Sequence, residues 1–172
     1  MMSTELEQIK SLARERRYSD ALAMCEAVAR SAEIPVIDML RVRAHVLALS
    51  GNYDLELIDR ELILNNVAVK LGDYYLAAEC ALRSERPERA VTLFETLLQK
   101  ERSEGGTWFR GGSYFLLAYS EMTLGRYDKA LCDLAEAEAT EPDCEMPVPE
   151  DLNSLWTVER LRSEIIRRRG MG

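Results

Sequence analysis

The chain has 172 residues, 47% of them hydrophobic and 30% charged, with a net charge of −8. That length suits one domain with a real core, and the composition is not that of a disordered chain. No apolar run approaches the roughly 20 residues of a membrane span, and the acidic balance argues against nucleic acid, which wants a basic stripe.

The start, Met1 to Lys10, is polar and acidic, unlike a secretory signal. Four cysteines, Cys25, Cys80, Cys132 and Cys144, show no CxxC spacing. They are expected to be reduced residues of a cytoplasmic protein.

Helical punctuation begins at Arg16-Arg17-Tyr18-Ser19-Asp20-Ala21, followed by Cys25 and Val28. A helix carrying Leu40, Ala44 and Leu47 then runs into Gly51-Asn52-Tyr53-Asp54. The helix after it runs from Asp54 to Leu64 and carries Glu56 and Arg60. Tyr74, Ala77, Ala78 and Ala81 precede a third turn, Glu85-Arg86-Pro87-Glu88-Arg89-Ala90, and Phe94 and Leu97 follow it. Gly105 to Arg110 is an insertion, either a loop or an extra helical turn, with Thr107 able to cap a helix starting at Trp108.

The fourth unit is the clearest. Tyr114, Leu117, Ala118 and Glu121 lead to Gly125-Arg126-Tyr127-Asp128-Lys129-Ala130, then Leu131, Leu134, Ala137 and Pro142. Apolar residues recur at three and four, the period of a helix with one buried face. Gly125 suits a left-handed helix cap, and Pro142 stops the second helix. A proline-punctuated linker, Glu141–Pro149, precedes a last amphipathic helix, about Glu150–Arg169, striped by Leu152, Leu155, Trp156, Val158, Leu161 and Ile165. Its terminal arginines, Arg167 to Arg169, favour the negative end of the helix dipole.

Four such turns, about 34 to 40 residues apart, resemble the tetratricopeptide repeat family, whose period is 34. The resemblance covers about Met2 to Cys144, and it implies Ala and an apolar residue where the second unit has Glu56 and Arg60, so the helix Asp54 to Leu64 is expected to be rotated or irregular. The resemblance further implies an all-α, right-handed superhelical stack of about four antiparallel helix pairs, in a single domain spanning 1–172. The units fall at about 2–35, 37–70, 71–104 and 111–144, with a capping helix at about 150–169 closing the apolar end of the stack.

In this family the first helix of each pair lines a concave groove. The resemblance therefore implies a groove of Ser3, Leu6, Glu7, Lys10 and Arg14, then Asp38, Arg41, Val42, His45 and Leu49. The third unit adds Tyr75, Leu76, Glu79, Leu82 and Arg83, and the fourth Phe115, Leu116, Tyr119 and Met122. Aromatic side chains are typical binding anchors. The expected partner contacts are Tyr75, Leu76, Glu79, Arg83, Phe115, Leu116, Tyr119 and Met122, with Arg41 and His45. The alternative is that the aromatic residues pack against the C-terminal helix or a neighbouring unit.

No chemistry competes with this reading. A lone histidine, His45, assembles no common zinc set, and no phosphate loop or nucleophile motif is present. The expectation is a protein that is no enzyme, binds no cofactor or metal, and takes a protein or peptide partner as adaptor or chaperone. Nucleic acid and membrane are not expected partners.

Two further readings stand beside it. Ten acidic residues against Arg126 and Lys129 between Glu121 and Asp151 suit an inhibitory, immunity-type protein that neutralises a basic partner. A structural subunit that self-associates into a homo-oligomer through its end repeats is the other.

Overall fold

The computed structural model describes residues 4–31 and 35–171. The expected groove residue Ser3, and the unit boundary residues at 2 and between 31 and 35, lie outside these.

The four predicted turns share one backbone solution. Arg16, Gly51, Glu85 and Gly125 all have positive φ, between 57° and 76°. In each, the N–H of that residue bonds the carbonyl three back and the next N–H the carbonyl five back, as in Gly125 to Met122 (3.0 Å) and Arg126 to Glu121 (2.9 Å). This is the paired-bond cap that ends a helix and lets the next begin within two residues. Glycine takes that conformation without strain; at Arg16 and Glu85 it costs about 1 kcal/mol each.

The turns separate α1 (Thr4–Arg14) from α2 (Tyr18–Ser31), α3 (Val36–Ser50) from α4 (Tyr53–Leu64), α5 (Leu71–Arg83) from α6 (Pro87–Glu104), and α7 (Arg110–Thr123) from α8 (Tyr127–Thr140). Connections this short make each pair antiparallel.

The chain divides into two compact units, one up to Asp73 and one from Tyr74. The first has a core of Leu6, Ile9, Ala21, Cys25, Met39, Val42 and Val46. In the second, Phe94, Leu97, Phe115, Leu116, Leu134, Leu161 and Ile165 are almost fully buried.

Three expectations change. The last helix, α9, is Val158–Arg169, and the residues before it form an antiparallel hairpin of β1 (Glu145–Val148) and β2 (Asp151–Thr157). The helix starts late because the Thr157 hydroxyl accepts the Arg160 N–H (3.1 Å), a helix N-cap with extended backbone. Pro147 and Pro149 keep Met146 and Val148 of β1 out of helical geometry.

Thr107 does not cap α7, which begins at Arg110. The buried Glu101 of α6 accepts the Phe109 N–H instead (2.9 Å). The insertion is a loop, turned by Gly105 at φ 74°.

Helix α4 is neither rotated nor irregular: Glu56, Arg60 and Ile63 are buried at the same places after the turn as Ala21, Cys25 and Val28 in α2, with Asp59 beside them, and Leu55, Ile58 and Leu62 are exposed.

Candidate protein-binding surfaces

Unit 1 presents a face built from α1 and α3. Side chains at Asp38, Arg41, His45 and Leu49 recur at three and four, so they share one side of α3. His45 and Leu49 are exposed there. Packing around the imidazole, then the charge of Arg60, hold the His45 pKa below its ordinary value; Lys10 and Arg14 of α1 add to this and Glu56 opposes it. His45 is therefore neutral at pH 7 and lies in a positive field.

Arg41 is a tether as well as a surface residue. Its guanidinium forks onto Asp73 (2.7 and 3.1 Å) and donates to the Ala68 carbonyl (3.0 Å). Burial pushes the Asp73 carboxyl up, but the bonds from Arg41 and the Lys70 N–H outweigh it and hold it below the usual range.

Unit 2 is closed where the aromatic groove is expected. Helix α7 is buried on every side from Ser113 to Met122. Phe115, Leu116, Tyr119 and Met122 are each at most 3% exposed, on a helix that packs against α6, α8, β1 and α9. Trp156 of β2 meets Tyr119 edge-on, 6.3 Å between centroids. Burial pushes the Tyr119 phenol up to about 12, and the charge of Glu150 adds to it.

Tyr75 lies against Phe109 (5.4 Å) and edge-on to Phe94 (6.0 Å), and its hydroxyl stands close over Gly112. Gly111 and Gly112 have no side chain because Glu141, Tyr75 and Met146 occupy that space. Of the residues expected in this half of the groove, Leu76 is 40% exposed, and Glu79 and Arg83, paired at 3.5 Å, are partly so.

Four carboxylates of the acidic segment are answered by the last helix. Arg162 reaches Glu138 (2.6 Å), Arg168 reaches Glu150 (3.0 Å), Arg160 reaches Asp151 (3.1 Å) and Arg169 reaches Asp128 (2.9 Å). Glu121, fully buried, takes both Lys129 (2.5 Å) and Arg126 (3.1 Å).

Asp133 is half-buried. One of its oxygens is buried without a hydrogen-bond partner. Burial pushes its carboxyl up to about 6, Glu121 and Glu95 adding to this and Lys129 opposing. A raised folded-state pKa lends stability that is full below the ordinary value near 4 and lost as pH rises through about 6. Asp133→Asn should therefore stabilise the fold at pH 7 by ~1 kcal/mol, after allowing for solvent screening, and leave it unchanged at pH 3.5. Thermal melts at the two pH values check this; an equal effect at both would remove the titration as its cause.

No disulfide joins cysteines among the described residues, where Cys25, Cys80 and Cys144 are buried and Cys132 is exposed. Among those residues no group of three or more His, Cys, Asp or Glu is placed to hold a metal ion, and no helix is long and apolar enough to cross a membrane.

The hairpin and its Trp156 escape the helical reading of the sequence, although Thr157 ahead of an amphipathic run is a start signal for α9. The outer stripe of α4 escapes it because the repeat pattern assigns that face to solvent.

No family model and no curated protein matches the chain. Solved structures do. MamA of strain AMB-1 is 16% identical and superposes with a TM-score of 0.69 over 98% of this chain and 89% of that one. MamA from Desulfovibrio magneticus RS-1 is 16% identical, with a TM-score of 0.64 over 83% and 78%. A putative kinesin light chain from Podosopora anserina with nearly identical TPR-like repeats is 13% identical, with a TM-score of 0.71 over 98% and 86%. At such identities the likeness is one of fold.

Proposed function

From the tetratricopeptide-type fold that the chain shares with these solved structures, we propose that it is a binding module that holds a segment of a partner protein and carries out no chemistry of its own. The observation that supports this most is the contrast between the two units. In unit 2 α7 is buried, with Trp156 of the chain's own hairpin on Tyr119, whereas in unit 1 the α1–α3 face keeps His45 and Leu49 in solvent.

The partner segment lies along α1 and α3 of unit 1, with Leu49 as apolar contact and His45 and Arg41 as polar contacts. On α5, Leu76, Glu79 and Arg83 offer the accessible part of the equivalent helix face. Tyr75, Phe115, Leu116, Tyr119 and Met122 act from behind it as packed support. An adaptor or chaperone role in the cytoplasm follows from this reading.

The test is affinity capture from native host lysate with wild-type protein and with His45→Glu/Leu49→Asp. Both positions are exposed, so the variant should keep the wild-type melting curve. A partner retained by wild type and lost by the folded variant supports the reading. A partner held equally by both removes the α1–α3 face as the site.

A further inference from the structure

We propose that unit 1 carries a second docking surface, a groove along the opposite side of α3, and that it takes an amphipathic helix of a partner protein with aliphatic anchors one heptad apart and a basic residue between them. At 100° per residue, Val36, Leu40, Arg43 and Leu47 fall on the side of α3 opposite Asp38, Arg41, His45 and Leu49. The groove is thus independent of the face proposed above.

Its walls come from α2 and α4. Near Leu47 a hollow of about 190 Å³ is bounded by Leu22 and Glu26 of α2 and by Leu55 and Ile58 of α4. Toward the start of α3 a second hollow of about 190 Å³ is bounded by Val28 of α2 and by Val36, Met39 and Leu40. Arg43 borders both hollows.

The outward stripe of α4 supplies the apolar wall. With Glu56, Asp59 and Arg60 turned inward, Leu55 and Ile58 stand 55% and 56% exposed, and Val36 at the far end 71%. Scattered apolar residues on a surface need no explanation; apolar residues gathered around two hollows mark an interaction site.

Size, spacing and charge choose the occupant. Each hollow is smaller than a drug-sized ligand pocket and takes one branched aliphatic side chain. Leu40 and Leu47, one in each hollow, are seven residues apart, roughly 10.5 Å along the helix. A partner helix lying along α3 presents side chains at that interval from positions i and i+7.

Between the hollows, Arg43 is already committed to Asp59, donating from Nε (2.8 Å) and from one terminal nitrogen. Glu26 on the rim then leaves the groove one net negative charge. Arg30, outside the groove, reaches Glu26 only at 4.0 Å, both side chains being mostly in solvent, where screening is strong. A lysine or arginine beside the anchors is therefore favoured, and an acidic residue is penalised.

The probe is a fluorescein-labelled, alanine-based helical peptide with two leucines seven positions apart and lysines between them, read by fluorescence anisotropy. Wild-type protein should bind it. Ile58→Lys, at an exposed site and with an unchanged melting curve, should weaken binding at least about tenfold. His45→Glu should leave it unchanged. Exchanging the peptide lysines for glutamates, or one leucine for alanine, should also cost about tenfold.

No binding of the lysine peptide at 1 mM overturns the proposal, as does equal binding by Ile58→Lys or by the glutamate peptide. So does self-association of the wild-type protein, seen by sedimentation, that Ile58→Lys abolishes: the groove then belongs to a second copy. Loss of binding in His45→Glu instead of Ile58→Lys would place the peptide on the α1–α3 face, overturning this proposal and leaving the other standing.

Discussion

Arg60→Met should destabilise the protein by about 3 kcal/mol, because it strands a carboxylate in the core. Glu56 and Arg60 sit one turn apart on α4, with side chains only 2% and 5% exposed. Both Nε (3.1 Å) and a terminal nitrogen (3.0 Å) of Arg60 donate to the same oxygen of Glu56, and the other oxygen has no partner. The arginine is what makes this carboxylate tolerable inside the protein. Without it, Glu56 keeps the full cost of lost hydration and recovers none by pairing.

The double variant Glu56→Leu/Arg60→Met should return to wild-type stability or exceed it, since a well-packed apolar pair avoids the desolvation of both ions. Urea unfolding followed by far-UV circular dichroism measures both. A loss below about 1 kcal/mol in the single variant, or no recovery in the double, would mean that water reaches the pair.

The second large effect is expected at Trp156. It is 6% exposed, lies edge-on to Tyr119 and carries the Arg160 guanidinium 4.3 Å from its ring centroid. In the hairpin register it stands opposite Met146, so one side chain joins β1, β2, α7 and α9.

Trp156→Ala should cost about 3–5 kcal/mol through lost transfer energy and an uncollapsed cavity. In a protein of this size that lowers the melting temperature by roughly 10 °C. Trp156→Phe should restore most of it, as the edge-to-face contact survives. Tyr119 supplies an independent readout. Its phenol, held up to about 12 mainly by burial, should titrate closer to 10 once the hairpin loosens. An alanine variant with an unchanged melting temperature and an unchanged phenol titration would show that the hairpin is held by its ion pairs alone.

The helical repeat was legible because its signals are local. A glycine that must adopt positive φ, a proline that must end a helix and an apolar stripe at three and four each act within one or two turns of chain. That is why the bounds of α1 to α8 follow from turns such as Gly51-Asn52 and Gly125-Arg126. Even the turns without glycine, at Arg16 and Glu85, were readable, because the residues around them repeat the pattern.

The aromatic residues of α7 could be assigned to that helix, but their exposure could not be read. Whether Phe115 and Tyr119 face a partner or the chain's own hairpin depends on where residues some 30 positions later return. Nothing local encodes that. Strand β2 has no alternation to betray it: Leu152, Leu155 and Trp156 recur at three and four, the spacing of an amphipathic helix. The acidic run from Glu121 to Asp151 likewise looked like a bare charged face, until α9 brought arginines alongside it.

Helix α4 shows the division most clearly. The repeat puts Glu56 and Arg60 where small or apolar residues are expected, and a rotated or irregular helix was the expectation there, since an unpaired charge is too costly to bury. Only the fold supplied the compensation: Arg43 from the neighbouring helix for Asp59, and a geometry in which Glu56 and Arg60 satisfy each other. So the sequence by itself determined the number and pairing of the first eight helices, through backbone conformations that each residue does or does not permit. The tertiary structure decided which faces are open, because burial of a charge or an aromatic ring is settled by partners that lie far away along the chain.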